Sequence, residues 1–443
     1  MGESAKADRV VSTPRRAPES RWWRAAPLAI VALALAVRLT LLLAYPRPLA
    51  SDARDYDALA WTLATTGHYD GAGGAPTAYR APGYPAFVAG IYAAGRHPEA
   101  VKAAQAALDA LTALLLYALL SRRSRTAALV AGLAWAALPA AALFSLQLFS
   151  ETAFTLGIVA FAWLVSRDRG WTDALAGLAL GALILTKPMM LLFAAALPFA
   201  LSKRSSARPT TAILGIAMAP VLAWILRNLL VMGTPALITS AGANLWIGAN
   251  PWANGGYAEP APIEGAVSGE VENDRIAGAE ALAYIADHPT AWFTLGARKL
   301  ALLASSEAEL VAGVFTRSDT GARLRERYRA VPAWLRASVN MPTLVVLILG
   351  VFGLAAAPGG VERPLFGALL FAIAVSSLVF FGGSRFRFPL MPGLVLCAAQ
   401  FVTGTGRGLK ETSRGRLVAA AVACCLIAAI WIVEALTLSA EVS

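Results

Sequence analysis

The sequence predicts an all-α polytopic membrane protein, a bundle of about 11 transmembrane helices with two long exoplasmic loops. Three observations lead there. Of its 443 residues 58% are hydrophobic and only 15% charged, where a soluble domain carries roughly 25% charged residues. Apolar stretches long enough to cross a hydrocarbon core recur along the whole chain. The basic residues gather in short segments between alternate apolar runs, as membrane orientation requires.

The apolar runs lie at roughly 26–45, 100–120, 126–146, 152–166, 172–187, 188–201, 210–231, 338–356, 364–382, 388–403 and 417–437. A straight crossing takes about 20 residues, so those at 152–166, 172–187 and 188–201 are short. The last two meet at Lys187-Pro188 and read either as two spans or as one kinked or re-entrant element. Residues 1–25 read as a disordered basic tail, and residues 26–443 as one transmembrane domain. The first run leads straight into more protein, which marks a membrane helix rather than a cleaved signal.

Charge fixes the expected orientation. Arg15, Arg16, Arg21 and Arg24 lie in the tail; Arg122, Arg123 and Arg125 follow the second run. Arg167 and Arg169 follow the fourth, Lys203, Arg204 and Arg208 the sixth, and Arg407, Lys410, Arg414 and Arg416 the tenth. With alternating runs these all share one side, which the positive-inside rule makes cytoplasmic. Loops of about 46–99 and 232–335 then face the exoplasm. The net charge of +11 is accounted for by orientation and does not point to nucleic acid. Cys397, Cys424 and Cys425 fall inside apolar runs, leaving neither a disulfide framework nor metal-ligand spacing.

In the first loop, Asp55–Gly67 has apolar residues at helical spacing and predicts an amphipathic surface helix. The stretch after Tyr79, RAPGYPAFVAGIYAAG, is too short to span, is broken by Pro82 and Pro85, and is expected to dip into the interface. The second loop is rich in Gly, Pro and Asn near Asn244–Tyr257 and helical near Glu272–His288. No repeat of fixed period is visible, and the halves do not mirror each other as they do in many transporters.

Asp52 follows the first span in SDARDYDALA. Partly desolvated beside lipid, its carboxylate is expected to have a raised pKa and to accept a proton from a hydroxyl; equally, Ser51 and Asp52 are good helix N-caps. Glu151, in the short outer turn LQLFSETAF, is costly between two apolar runs unless it faces water or a partner, and it too reads as a cap. Arg80 in YRAPGYP and Arg385 and Arg387 in GGSRFRFP run against the scarcity of positive charge outside. Guanidinium matches the oxygens of a lipid-linked phosphate bidentately; headgroup snorkelling is the alternative, and it extends to Lys187 and Arg227. Arg38 and Asp109 lie deeper and read as structural glue, paired with each other or with backbone. The aromatic and amide residues of NLWIGANPWANGGY suit a sugar ring, but also a membrane interface. Asp55 and Asp57 point in different directions on a helix, so no metal is inferred.

Together these residues resemble the GT-C superfamily of polyprenyl-phosphate-sugar glycosyltransferases, in its protein-mannosyltransferase-like branch (family 39), which includes aminoarabinose transferases. The likeness is sharpest in the first loop: Asp52 with Tyr56 four positions on, then LA, Gly67 and Tyr69, then the Arg80–Pro85 stretch containing Tyr84. Gln105, Asp109, Ser150-Glu151, Arg227-Asn228, GANP at 248–251 with Asn250, His288-Pro289 and RFRFP at 385–389 follow in order. The resemblance implies Asp52 as catalytic base and Glu151 as second site carboxylate. It also implies Tyr56, Arg80, Tyr84, Arg385, Arg387 and Asn250 as substrate contacts. Arg80 stands where the aminoarabinose transferases carry a Lys for the lipid phosphate, and Ala53 replaces an acid that often follows the base.

The implied activity is transfer of a sugar from a polyprenyl-phosphate donor to an exoplasmic glycan, lipid or protein acceptor, with inversion at the anomeric carbon. No cofactor and no divalent metal are expected. The implied setting is the bacterial inner membrane, with the N-terminus cytoplasmic. A transporter or flippase of lipid-linked sugars is the competing expectation.

Overall fold

The computed structural model describes residues 21–45, 49–71, 73–167, 169–202, 208–263, 269–316, 323–356, 362–404 and 411–439. Among them the regular structure is helical, apart from one isolated bridge between Asp70 and Pro76. The first half contains α1 (Arg21–Ala44), α2 (Asp52–Thr66), α3 (Gly83–Tyr92), α4 (Pro98–Leu120), α5 (Arg125–Ala137), α6 (Pro139–Ser145), α7 (Glu151–Val165), α8 (Gly170–Thr186), α9 (Met190–Ala200) and α10 (Arg208–Met232). The second loop holds α11 (Ala241–Gly248), α12 (Glu270–Asp287), α13 (Pro289–Leu303), α14 (Ala308–Phe315) and α15 (Leu324–Ala330). Then come α16 (Ala333–Ala356), α17 (Glu362–Val379), the four-residue α18 (Ser384–Arg387), a 3-10 turn at Phe388–Leu390, α19 (Met391–Val402) and α20 (Arg414–Ser439).

All eleven apolar runs are thus helical. Five helices are long and apolar enough to cross a membrane by themselves, and six if the bent pair α5–α6 is one span. That pair turns by 53° where Leu138 precedes Pro139, because the proline ring pushes its predecessor out of the helical region. The same rule settles the Lys187-Pro188 junction: Lys187 is extended at φ −138°, ψ 106°, so α8 and α9 are separate short helices. Helix α1 already begins at Arg21, five residues inside the expected tail; residues 1–20, with Arg15 and Arg16, lie outside the described residues, as do Lys203, Arg204, Arg407 and Lys410.

Two apolar cores hold the bundle. One joins α1, α4, α5, α6, α16, α19 and α20 around the fully buried Trp135. The other joins α7, α8, α9, α10 and α17. Apolar side chains such as Leu43, Leu230 and Leu436 remain exposed along α1, α10 and α20, as a lipid-facing surface requires. Inside the first core, Arg38 Nε donates to Asp109 Oδ2 at 2.7 Å, and Trp135 Nε1 donates to Asp109 Oδ1 at 2.9 Å. Arg38 thus pairs with Asp109 and also donates to the carbonyls of Trp135 and Ala136.

A third cluster packs α2 against α3 through Tyr56, Ala60, Tyr84, Val88 and Tyr92. Helix α2 ends where Gly67 enters the left-handed region at φ 72° and returns its N–H to Leu63 O, a common helix stop. Pro82 and Pro85 do not break the next stretch as expected. They open α3, occupying its N-cap and first turn, where a missing N–H costs nothing.

Candidate active site

Asp52, after the C-terminal end of α1, and Glu151, at the N-terminus of α7, come together with Lys187 beyond α8 and Arg385 beyond α17. By alternation these helix ends lie on one side of the bundle. Arg385 bridges the two acids: its Nη1 donates to Asp52 Oδ2 at 2.8 Å, while its Nε and Nη2 donate to the two oxygens of Glu151. Its guanidinium also lies 4.2 Å from the centre of the Phe149 ring. Arg80 Nη2 donates to Asp52 Oδ1 at 2.7 Å and to Asp55 Oδ2 at 2.8 Å. Lys187 Nζ donates to Glu151 Oε1 at 3.0 Å. The result is an alternating row: Asp55, Arg80, Asp52, Arg385, Glu151, Lys187.

Local structure places each member. Asp52 is the first residue of α2, and neither it nor Ser51 makes a side-chain cap, so the capping alternative fails. Ser51 has φ 51°, the one positive value at a non-glycine among the described residues. Such strain tends to collect at functional sites. Glu151 starts α7 without capping it and is fully buried. The extended conformation that Pro188 imposes on Lys187 breaks the helix next to that carboxylate. Arg385 follows a glycine pair whose backbone touches the second loop. Gly382 N–H donates to Gly255 O at 2.8 Å, and a Cβ on Gly382 would sit 1.9 Å from Lys299 O.

Electrostatics correct one expectation. Burial does push the Asp52 carboxyl upward, but the Arg385 and Arg80 guanidiniums outweigh it and hold the pKa at about 2. Asp52 therefore rests ionised and weakly basic, where a raised pKa was expected. Burial disfavours the charge of Arg80, and Asp52 and Asp55 overcompensate, so its pKa is raised. Arg385 is raised in the same manner by Glu151 and Asp52.

The structure brings Asp52, Glu151, Arg80 and Arg385 together and sets Tyr56 beneath them, with the Arg80 guanidinium 5.6 Å from the Tyr56 ring centre. Tyr84 lies behind, edge-on to Tyr56 and donating to Gln105 Oε1 at 2.7 Å. Two residues expected here belong elsewhere. Arg387 is buried and donates to Glu307 and, at 2.7 Å each, to the carbonyls of Leu303 and Ser305. It ties the second loop to α18. Asn250 is 2% exposed and holds its own loop, donating to Trp246 O at 2.7 Å and accepting from Trp252 N at 2.8 Å.

Two members of the row were missed. Lys187 read as a snorkelling lysine, although the Pro after it signalled a break. Asp55 was weighed only as half of a metal pair; Asp57 indeed points away, to Tyr92 and Arg96. Among the described residues no group of three or more His, Cys, Asp or Glu is disposed to hold a metal ion.

No protein-family model matches the chain, and no curated protein matches it significantly. Among solved structures, the chain is similar to ArnT from Cupriavidus metallidurans bound to undecaprenyl phosphate. Identity is 14% and the TM-score 0.41, over 84% of this chain and 76% of that one. It is also similar to the Archaeoglobus fulgidus oligosaccharyltransferase tethered with an acceptor peptide, at 14% identity and a TM-score of 0.44. That match covers 92% of this chain but only 54% of the length of the oligosaccharyltransferase.

Proposed function

We propose that the chain is a membrane glycosyltransferase of the GT-C kind. It moves a sugar from a polyprenyl-phosphate donor to an acceptor hydroxyl at the exoplasmic surface. One observation carries the reading: Asp52 is suspended between two guanidiniums, and one of them, Arg80, keeps a buried Nε–H with no hydrogen-bond partner. An unpaired buried donor beside a shared carboxylate suits an incoming anion.

The resting row is self-neutralised, with three acids against three cations. A donor phosphate at Arg80 and Arg385 competes with Asp52 for them. Burial, now less opposed, raises the basicity of Asp52. Asp52 then takes the proton of the acceptor hydroxyl, whose oxygen bonds to the anomeric carbon from the face opposite the phosphate. The carbon–oxygen bond to phosphate breaks, its electron pair leaves with the phosphate, and the guanidiniums balance that charge. Attack from the opposite face inverts the anomeric centre. Glu151 is fully buried with its oxygens on Arg385 and Lys187, so its part is to hold Arg385 rather than to meet sugar hydroxyls.

The donor and acceptor follow from comparing cell-envelope glycans by mass spectrometry with and without the protein. A missing sugar substituent supports transfer. A flippase moves the lipid and leaves its glycosidic bond intact, so purified protein that releases polyprenyl phosphate only with acceptor present separates the two readings.

A further inference from the structure

The row of charges contains nothing that fixes the backbone of Arg80. Tyr69 Oη donates to Arg80 O at 2.9 Å, and the residues just before Arg80 are held by the second loop. Glu270, the first residue of α12, accepts from Thr77 Oγ1 at 2.6 Å, from Ala78 N at 2.9 Å and from Thr239 Oγ1. Thr239 N donates to Ala78 O at 3.0 Å, and Ser240 Oγ to Tyr79 O at 2.8 Å. Arg227, near the end of α10, completes the grip by donating at 2.9 Å to Thr77 O and to Tyr69 O. Residues 77–79 are thus held on successive backbone groups, and Arg80 comes next.

We infer that Glu270 is a positioning residue: by gripping Thr77, Ala78 and Thr239 it sets where the Arg80 guanidinium can meet a phosphate. This rests on the proposed transferase reading. The contacts of Arg80 with Asp52 and Asp55 are exchangeable, since a phosphate must displace at least the first. During that exchange the backbone must keep Arg80 in place, and one carboxylate, reaching across from the second loop, bonds Thr77 and Ala78 directly and Thr239, which itself bonds Ala78 O. Misplacing a charged group by about 1 Å costs a site on the order of a hundredfold in rate, so a grip on the preceding three residues matters to binding as well as to folding.

The test uses the full chain in lipid nanodiscs, with farnesyl phosphate as the probe. Hydrogen exchange at residues 77–80 reports the grip, and farnesyl phosphate affinity reports its purpose. Glu270→Ala is expected to speed exchange there and to weaken farnesyl phosphate binding about tenfold. Glu270→Gln keeps an acceptor for Ala78 N–H and a group able to bond Thr77 Oγ1, and is expected to restore most of both. In an Arg80→Ala background, Glu270→Ala should cost no further affinity. Unchanged exchange in Glu270→Ala, or a loss that adds fully to that of Arg80→Ala, overturns the inference. If Arg80→Ala binds farnesyl phosphate as the intact chain does, the phosphate reading itself falls and the positioning role falls with it, even with exchange accelerated.

Discussion

Arg385 donates to Asp52 at 2.8 Å across 333 residues of sequence, closing the first loop onto the segment that precedes α19. One guanidinium thereby holds carboxylates from two parts of the chain, Asp52 after the first span and Glu151 at the start of α7. A planar fork with several donors can do this; an ammonium on a flexible stem cannot serve both acids in the same geometry. Arg385→Lys should keep the charge yet lose roughly a hundredfold in transfer rate. Steady-state assay against the intact chain decides, and near-full activity would mean that charge alone is enough.

The pH response follows from Asp52. Its folded pKa of about 2 lies below the ordinary value of 3.8. The contribution to stability, about 2 kcal/mol, is therefore present above pH 4 and lost as pH falls from about 4 toward 2. Without donor, thermal unfolding should be insensitive to this group between pH 5 and 8. In Arg80→Ala, burial acts against one guanidinium fewer, and the acid loss should begin at higher pH. Melting curves of the two proteins in nanodiscs between pH 3 and 7 test the shift.

Asp109 makes a different prediction because its ion pair with Arg38 is structural. Both side chains are buried, at 2% and 0% exposure. Removing one partner strands the other charge, at a cost of about 3–5 kcal/mol. Asp109→Ala should lower the yield of folded protein in detergent and the melting temperature, and by more than Asp52→Asn, which removes only the roughly 2 kcal/mol of the ionised carboxylate.

Ser51 is exposed, so its substitutions report backbone strain rather than packing. At φ 51° and ψ −136° a side chain is disfavoured, by about 1–3 kcal/mol. Ser51→Gly should be tolerated, since the backbone freedom of glycine offsets the relief of strain. Ser51→Val should destabilise, and it should also impair transfer by displacing Asp52. Melting temperature and activity of the pair provide the check.

Much of this site was legible because membrane sequences are punctuated by cost. An acid or an arginine at the outer end of an apolar run needs a reason, and Asp52, Glu151, Arg80 and Arg385 stood out on that ground. Direction was harder to read. Arg385 and Arg387 lie two apart on one helical turn, so they point to opposite sides: one reaches Asp52, the other Glu307. Asp55 and Asp57 part in the same way, and it is Asp55 that faces Arg80 while Asp57 meets Arg96. The helices of the second loop were mostly hidden. Only α12 showed in the sequence: α11, α13 and α14 take their places through contacts with Arg387, Lys299 and the 380–384 segment, and α15 through bonds to Thr316, Asn340 and Leu438, none of which a local pattern encodes. The low pKa of Asp52 was invisible for the same reason, because it depends on a partner from the far end of the chain.

The most direct measurement is transfer by Asp52→Asn, alongside its affinity for a polyprenyl phosphate. The amide keeps the size of the carboxylate, frees both guanidiniums from a competing negative charge and cannot take the acceptor proton. The variant should fold, bind farnesyl phosphate at least as tightly as the intact chain and transfer no sugar. Full transfer by folded Asp52→Asn would contradict the account.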